Sequence, residues 1–301
     1  MTNSNAIEIR GLTYRPDKNF EIRDMNLNVP TGSIYGFLGP NGAGKSTTIR
    51  LMLAMAKPDS GDVTILGSPV PSEIASVLSR TGYVPERPHL YPSLTVDEAI
   101  RLHASFYPTW DAKWASSLHA QFGLPDRKIS KLSKGETGKL MMLLALSQRP
   151  ELLILDEPTD GLDPMIRRDV LTAVLDYVAD TKATVFISSH LVHELERMCD
   201  WVGLLDHGRM VAELPIDDFK KGVKRLRLAD LSGMPSQLPF TVLSRSPNGS
   251  NASETWVVRG WDDSMKGVFD AGGASLREVI DLDLEEVFVE FLRSSRTKAG
   301  V

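Results

Sequence analysis

The sequence of 301 residues predicts an α/β fold with a smaller α+β module at its C-terminal end. Three observations support this prediction. Short apolar segments alternate with longer segments of helical periodicity, a glycine-rich loop joins one apolar segment to one helix, and the composition changes near Pro215. Strands that alternate with helices at this spacing are typical of a parallel sheet covered on both faces.

The predicted elements of the first 190 residues follow from apolar periodicity and from the glycine and proline positions that interrupt it. They are one or two antiparallel strands within 1–30, a strand over 34–38, a glycine-rich loop over 39–46, a helix over 47–56, a strand over 63–66, mostly helical segments up to about 148, and strands over 152–155 and 184–187 on either side of a helix over 163–178.

Residues 1–215 form the larger predicted domain, and residues 216–301 form the small α+β module. The module contains alternating segments over 225–231, 240–243 and 256–258 and a helical pattern over 284–292. Residues 294–301 are expected to form a frayed tail.

Composition limits the possible function. Hydrophobic residues make up 42% of the chain, charged residues 24%, and the formal net charge is −5, so no global basic field is available to bind nucleic acid. Cys199 is the single cysteine and the opening residues are polar, which predicts a cytosolic protein. Because no apolar stretch approaches the ~20 residues needed to cross a bilayer, a role at a membrane would require a second, spanning chain.

The glycine-rich loop fits a phosphate-binding pattern, with Gly39 and Gly44 followed by Lys45 and Ser46. Glycines allow backbone N–H groups to turn toward phosphate oxygens, and the following helix adds partial positive charge. Lys45 is expected to neutralise the β- and γ-phosphates of a nucleotide, and the Ser46 hydroxyl is expected to bind Mg²⁺. The predicted phosphate-binding residues are Gly39, Pro40, Asn41, Gly42, Ala43, Gly44, Lys45, Ser46 and Thr47.

Two acids follow the apolar strand over 152–155. Asp156 is predicted to hold Mg²⁺ through water. Two successive carboxylates after a buried strand are costly unless a cation or a catalytic water requires them. Glu157 is therefore predicted to be the general base.

Together these motifs resemble the nucleotide-binding subunit of an ABC transporter, over about residues 6–215. The resemblance implies an ATPase core with a parallel sheet, an antiparallel β subdomain and a helical subdomain at about 87–150. It depends on five motifs in the family's order: Gly39–Ser46, Gly82–Glu86, Leu132–Glu136, Leu152–Glu157 with Gly161–Asp163 after it, and Ser188–His190.

The stretch Leu132–Glu136 corresponds to the family's signature motif. The resemblance implies that Ser133 and Gly135 reach the γ-phosphate of ATP bound to the other subunit. Lys134 and Glu136 stand where the family usually has glycine and glutamine. The spacing of Ser133 and Glu136 also predicts a capping box, which is compatible with an anion site at the helix start.

The resemblance assigns further roles to single residues. Glu86 replaces a glutamine that touches Mg²⁺ or the attacking water, and His190 contacts the γ-phosphate. Asp163 bridges the two subunits in the family, although N-capping before Pro164 is an alternative interpretation. An aromatic residue usually stacks on adenine, with Tyr14 as the first candidate and Phe20 as the second.

The resemblance implies a homodimer or heterodimer of ATP-binding subunits and a separate transmembrane permease, in an exporter that holds this chain at the inner face of the cell membrane. Segment 106–111 is either part of the permease surface or ordinary core. Two alternatives remain: a regulatory switch with little hydrolysis, and an ABC ATPase acting on ribosomes or DNA. Leu132 follows Lys45 by 87 positions, and this spacing excludes the long coiled coil of DNA-repair relatives.

Overall fold

The computed structural model describes residues 4–229, 231, 237–247, 253–272 and 274–299. The strands are Asn5–Tyr14 (β1), Ile22–Pro30 (β2), Ile34–Leu38 (β3), Ser60–Ile65 (β4), Ser68–Val70 (β5), Thr81–Val84 (β6), Leu152–Asp156 (β7), Thr184–Ser189 (β8), Trp201–Asp206 (β9), Arg209–Pro215 (β10), Val223–Ala229 (β11), Thr241–Pro247 (β12), Ser253–Arg259 (β13) and Ser275–Asp281 (β14). The α-helices are Lys45–Met52 (α1), Ile74–Ser79 (α2), Val96–Ala104 (α3), Ala112–Phe122 (α4), Lys134–Ser147 (α5), Pro164–Thr181 (α6), Val192–Leu195 (α7), Ile216–Lys221 (α8), Gly267–Gly272 (α9) and Leu284–Ala299 (α10).

The chain packs as two units. The first comprises Met1–His190 with Leu205–Met210, and the second comprises Leu191–Leu204 with Val211–Val301. These packing units differ from the sequence division at residue 215, which coincides with the end of β10. The domain boundary at 215 therefore stays a prediction.

Parallel strands β3, β8, β7 and β6 lie side by side in the first unit. All five residues of β3 and all five of β7 are buried, as expected for strands covered on both faces. The parallel sheet and its three apolar strands are confirmed. Strand β6 was not predicted: residues 81–84 lie in the region interpreted as mostly helical, and within the motif Gly82–Glu86 only Pro85 and Glu86 follow the strand.

An antiparallel sheet of order β2-β1-β4-β5 forms the second layer of this unit. Ile7 pairs with Val29 on one side and with Ile65 on the other. The alternation in β2 leaves Met25, Leu27 and Val29 buried between exposed polar residues, which is the pattern of a strand with one covered face. The predicted antiparallel strands at the start of the chain are confirmed.

Helices α3, α4 and α5 occupy the segment predicted to be a helical subdomain. Thr95 begins α3 and Ser133 begins α5, each in a capping box with the glutamate three residues later. Among the described residues, no helix combines the length and apolar character needed to span a bilayer.

The second unit contains an antiparallel sheet of order β12-β13-β11-β14. Its core includes the ring cluster of Phe240, Trp261 and Phe269, with ring centroids 5.4–6.0 Å apart. Strand β14 was not predicted. The tail prediction is wrong for its described part, because α10 continues to Ala299 and Ser294 is buried; residues 300–301 lie outside the described residues.

Candidate nucleotide-binding site

The glycine-rich loop runs from the end of β3 to the start of α1, so the first N–H groups of that helix face the loop. Gly44 has φ +113°, and a Cβ there would lie 2.9 Å from Cζ of Phe20. Residue 39 is also closed to a side chain, since a Cβ would lie 2.5 Å from the carbonyl oxygen of Leu205. Both positions therefore require glycine.

A cavity opens beside this loop. Asn41, Gly42, Gly44, Lys45, Ser46 and Thr47 line it from the loop, and the other lining residues are Phe20, Glu86, Glu157, Asp160 and His190. The remaining predicted loop residues, Gly39, Pro40 and Ala43, are not among the described residues that line the cavity. Ala43 is buried, and the carbonyl groups of Gly39 and Pro40 accept hydrogen bonds from Lys45. The loop residues are thus brought together with acids from two strand ends.

Lys45 is buried at the centre of the site. Its Nζ donates to the carbonyl oxygens of Gly39 at 2.6 Å and Pro40 at 3.2 Å, and lies 3.1 Å from Oε1 of Glu157. Removal of an ammonium group and a carboxylate from water is costly, and the ion pair together with these hydrogen bonds offsets that cost.

Glu157 links Lys45 to His190, whose Nδ1 lies 2.8 Å from the other carboxylate oxygen, Oε2. The Glu157 backbone has φ +48°, a left-handed conformation that costs free energy for a residue with a side chain. The backbone N–H of Glu157 donates to Oγ of Ser188 at 3.0 Å, which helps to hold this conformation. The strain and the contacts together aim the carboxylate at the cavity.

Asp156 ends β7 and is buried. The hydroxyl groups of Ser46 and Ser188 donate to its Oδ1 at 3.0 and 2.8 Å. Burial is the main reason that the pKa of Asp156 is raised; the two hydroxyl groups oppose this rise, and the charges of Glu86 and Glu157 add to it. The carboxylates of Glu86, Asp156 and Glu157 therefore lie close enough for their negative charges to affect one another.

Two cavity residues, Phe20 and Asp160, and one residue that contacts Asp156, Ser188, differ from the sequence expectations. Phe20 lines the cavity, whereas Tyr14, the first choice for adenine, is not among its described lining residues. Asp160 and Ser188 were not singled out as site residues. Two buried serines at the end of an apolar strand, Ser188 and Ser189 of β8, were the available signal for Ser188.

The signature residues lie elsewhere in the first unit. Ser133 and Gly135 are not among the described residues that line the nucleotide cavity. The predicted capping box is confirmed, with the N–H of Glu136 donating to Ser133 Oγ at 3.2 Å and the N–H of Ser133 donating to Glu136 Oε2 at 2.7 Å. Asp163 caps α6 by accepting from the N–H groups of Met165 and Ile166, both at 3.0 Å.

A phosphate-binding loop at a strand-to-helix turn, next to two acids at the end of parallel strand β7 of the same sheet, defines a class of proteins that bind and hydrolyse nucleoside triphosphates. Comparison with known proteins gives the family within this class. The family model described as "ABC transporter" matches residues 22–160.

Curated relatives match over a longer stretch. The bacitracin transport ATP-binding protein BcrA of Bacillus licheniformis is 36% identical over 221 residues, which cover 72% of each chain. The Nod factor export ATP-binding protein I of Burkholderia orbicola is 35% identical over 214 residues, covering 69% of this chain and 70% of the relative.

Solved structures agree with the sequence relatives. An ATP-binding subunit of an ABC transporter superposes with a TM-score of 0.66 at 30% identity, over 72% of this chain and 92% of the other. A dimeric bacterial ABC transporter cassette has the same fold, with a TM-score of 0.63 at 22% identity over 70% of this chain and 98% of the other. This chain belongs to the family of ABC transporter ATP-binding proteins, and it is an ATPase of that family.

Proposed function

We propose that the cavity at the glycine-rich loop binds ATP with Mg²⁺ and that Glu157 is the general base for its hydrolysis. Lys45 neutralises the β- and γ-phosphates once ATP draws its ammonium group away from Glu157. His190 holds the Glu157 carboxylate through the 2.8 Å contact and reaches the γ-phosphate. Phe20, which lines the cavity, is the better candidate than Tyr14 to stack on adenine.

The oxygen donors near Ser46 suit Mg²⁺. The Ser46 hydroxyl, Asp156 and Glu86 are hard ligands, and a bound cation would favour the ionised form of Asp156, whose pKa is raised mainly by burial. No group of three or more His, Cys, Asp or Glu side chains is arranged for a metal among the described residues, and Mg²⁺ typically completes its shell with phosphate oxygens and water. When bound, the ion neutralises phosphate charge.

The position of the signature motif supports a composite site. Because Ser133 and Gly135 are not lining residues of their own chain's cavity, we assign them to an ATP molecule held by a second ATP-binding subunit. The backbone N–H groups at the start of α5 can donate hydrogen bonds to an anion such as the γ-phosphate. Two chains in a head-to-tail pair would then enclose two ATP molecules, as a homodimer or a heterodimer.

A separate membrane permease is the second proposed partner. Relatives are named for bacitracin transport and Nod factor export, which supports an exporter with this chain on the inner face of the cell membrane. In that arrangement, closure of the pair on ATP and its reopening after hydrolysis drive the permease.

The observation that carries the proposal is the contact of Glu157 with both Lys45 and His190 beside the phosphate loop. The test is Glu157→Gln in the full chain, which removes the base while it keeps the shape. We expect ATP binding to persist, turnover to stop and an ATP-bound dimer to accumulate in sedimentation experiments.

The matched control is Glu151→Gln, which alters an exposed glutamate paired with Arg80 and should hydrolyse ATP at the parent rate. If Glu157→Gln also turns over ATP at the parent rate, Glu157 is not the base. If the variant binds ATP but remains a monomer, the composite site is wrong.

A further inference from the structure

The first turn of α5 carries two charged side chains, Lys134 and Glu136, on either side of Gly135. Under the proposed function this turn faces the γ-phosphate of an ATP molecule held by a second subunit. A carboxylate at this place repels phosphate unless another group compensates its charge.

Glu136 is ionised and fixed in place. Its Oε2 accepts from the N–H of Ser133 at 2.7 Å, and this bond is the main reason that the pKa of Glu136 is lowered. Protonation therefore does not remove the negative charge near neutral pH. Rotation of the side chain away from the turn would break the capping box.

Lys134 is not the compensating cation. Its Nζ lies 3.3 Å from Oδ2 of Asp160, on the turn that follows Glu157. The Lys134 ammonium group therefore pairs with Asp160.

Arg127 supplies the charge. Its Nη2 donates to both carboxylate oxygens of Glu136, at 2.8 Å to Oε1 and 2.7 Å to Oε2. The backbone around Arg127 is anchored independently: its carbonyl accepts from the N–H of Val96 at the start of α3, and Lys128 forms a bridge with Thr95. Because these backbone contacts hold the segment that carries Arg127, its guanidinium group loses less conformational entropy when it binds Glu136.

We propose that Arg127 is a positioning residue of the ATPase site, which binds Glu136 and so keeps the first turn of α5 receptive to the γ-phosphate of ATP on a second subunit. This inference rests on the proposed composite site. Arg127 acts through Glu136, so its importance depends on glutamate at position 136. With glutamine there, the capping box persists without the charge, and Arg127 is no longer needed.

The test is a double-mutant cycle in the full chain with Arg127→Ala, Glu136→Gln and the combined variant. We expect Arg127→Ala to lower kcat and the affinity of ATP-dependent dimerisation by about tenfold each, the size of one uncompensated charge near phosphate. ATP binding by the monomer should not change. The combined variant should match Glu136→Gln within about twofold in both quantities, because the charge that required Arg127 is gone.

Two further measurements separate an electrostatic role from a structural one. Arg127→Lys should retain most activity, and the defect of Arg127→Ala should shrink as ionic strength rises. Arg80→Ala is the matched control, because Arg80 binds both oxygens of Glu151 at 2.7 and 2.8 Å in the same unit and should not affect turnover. Thermal melting of each variant reports its folding.

The outcomes distinguish this proposal from the proposed function. If the parent hydrolyses ATP and Glu157→Gln dimerises with ATP, but Arg127→Ala behaves like the parent, the role of Arg127 is overturned and the composite site stands. A defect in Arg127→Ala that Glu136→Gln does not rescue also overturns it. If Glu157→Gln fails to dimerise with ATP, the composite site itself fails.

Discussion

Charged residues are organised differently in the two packing units. In the first unit, Lys45 and Asp156 are only 5% and 3% exposed, and Glu157 adopts a left-handed backbone beside them. In the second unit, the charges around the start of α10 form outward-facing pairs, such as Arg225 with Glu286 at 3.1 Å. Both regions are rich in acids, but among the described residues the strained cluster of buried charges lies in the first unit.

The difference shows how to separate a reactive site from a structural acidic surface. Exposed ion pairs contribute about 0–1 kcal/mol to stability, so an exposed pair does not by itself indicate a reactive site. Buried charges with perturbed pKa values and a strained backbone are costly, and such arrangements concentrate at functional sites. Glu290, a buried acid of the second unit, has structural partners in Ser244 and Arg293.

The largest expected difference between the two units appears when one lysine in each unit is replaced by methionine. Lys45→Met should lower kcat about a thousandfold, because it removes a preorganised cation from the developing phosphate charge. Lys224→Met, which removes the partner of Asp281, should leave kcat unchanged. Steady-state hydrolysis by both purified variants is the measurement; equal losses would remove the distinction between the units.

A core substitution in the second unit should affect stability rather than chemistry. Phe269 is fully buried among Phe240 and Trp261, so Phe269→Ala should lower the free energy of unfolding of the region by about 3–5 kcal/mol. Denaturant unfolding followed by tryptophan fluorescence measures this loss. Turnover per folded molecule at low temperature should equal that of the parent, and a lower value would assign the second unit a part in hydrolysis.

The aromatic residue at the cavity tests nucleotide affinity. Phe20→Ala should raise the KM for ATP by about tenfold, the effect of one lost base–aromatic stack, with little change in kcat. Phe20→Tyr keeps the ring and should behave like the parent. Tyr14→Ala is the discriminating control: if it weakens ATP binding while Phe20→Ala does not, Tyr14 contacts adenine after all.

The smallest expected effect concerns stability at the Mg²⁺ position. The pKa of Asp156 is raised on folding, so its charge destabilises the nucleotide-free fold at neutral pH, and this cost is removed as the pH falls through the raised pKa toward the unfolded value. Asp156→Asn should therefore raise the Tm by about 2–4 °C at pH 7, equivalent to roughly 1 kcal/mol, while it impairs hydrolysis.

This gain should disappear at acidic pH, where the Asp156 carboxyl group of the parent is protonated and therefore as neutral as the asparagine of the variant. Melting curves of the parent and Asp156→Asn at several pH values in the absence of nucleotide provide the measurement. A gain that is independent of pH would show that the charge of Asp156 is not its cause.

The sequence was sufficient for features encoded locally. The phosphate loop, its flanking strand and helix, and the capping box at Ser133 each depend on residues within a few positions of one another. The apolar runs of β7 and β8 identified strands because they are buried on both faces. Strand β6 was missed because only four residues, two of them Gly82 and Tyr83, offer too short a pattern.

Other features depend on contacts between distant residues. Phe20 belongs to the cavity because its ring lies against Gly44, which periodicity in β1 and β2 does not encode. The contact of Arg127 with Glu136 requires the segment after α4 to lie against α5. The tail was misread because the polar residue Ser294 lies on the buried side of α10.

The register of β7 and β8 has a consequence for sequence change. Asp156 lies opposite Ser188 in this parallel pair, and Glu157 and His190 extend from the same two strand ends. One backbone alignment thus fixes four polar residues at once. A single-residue insertion or deletion inside one strand would turn the polar residues at its end to the opposite face and out of register with those of the other strand. Length changes should therefore be tolerated in surface loops of this chain but eliminate ATP turnover when they fall within these two strands.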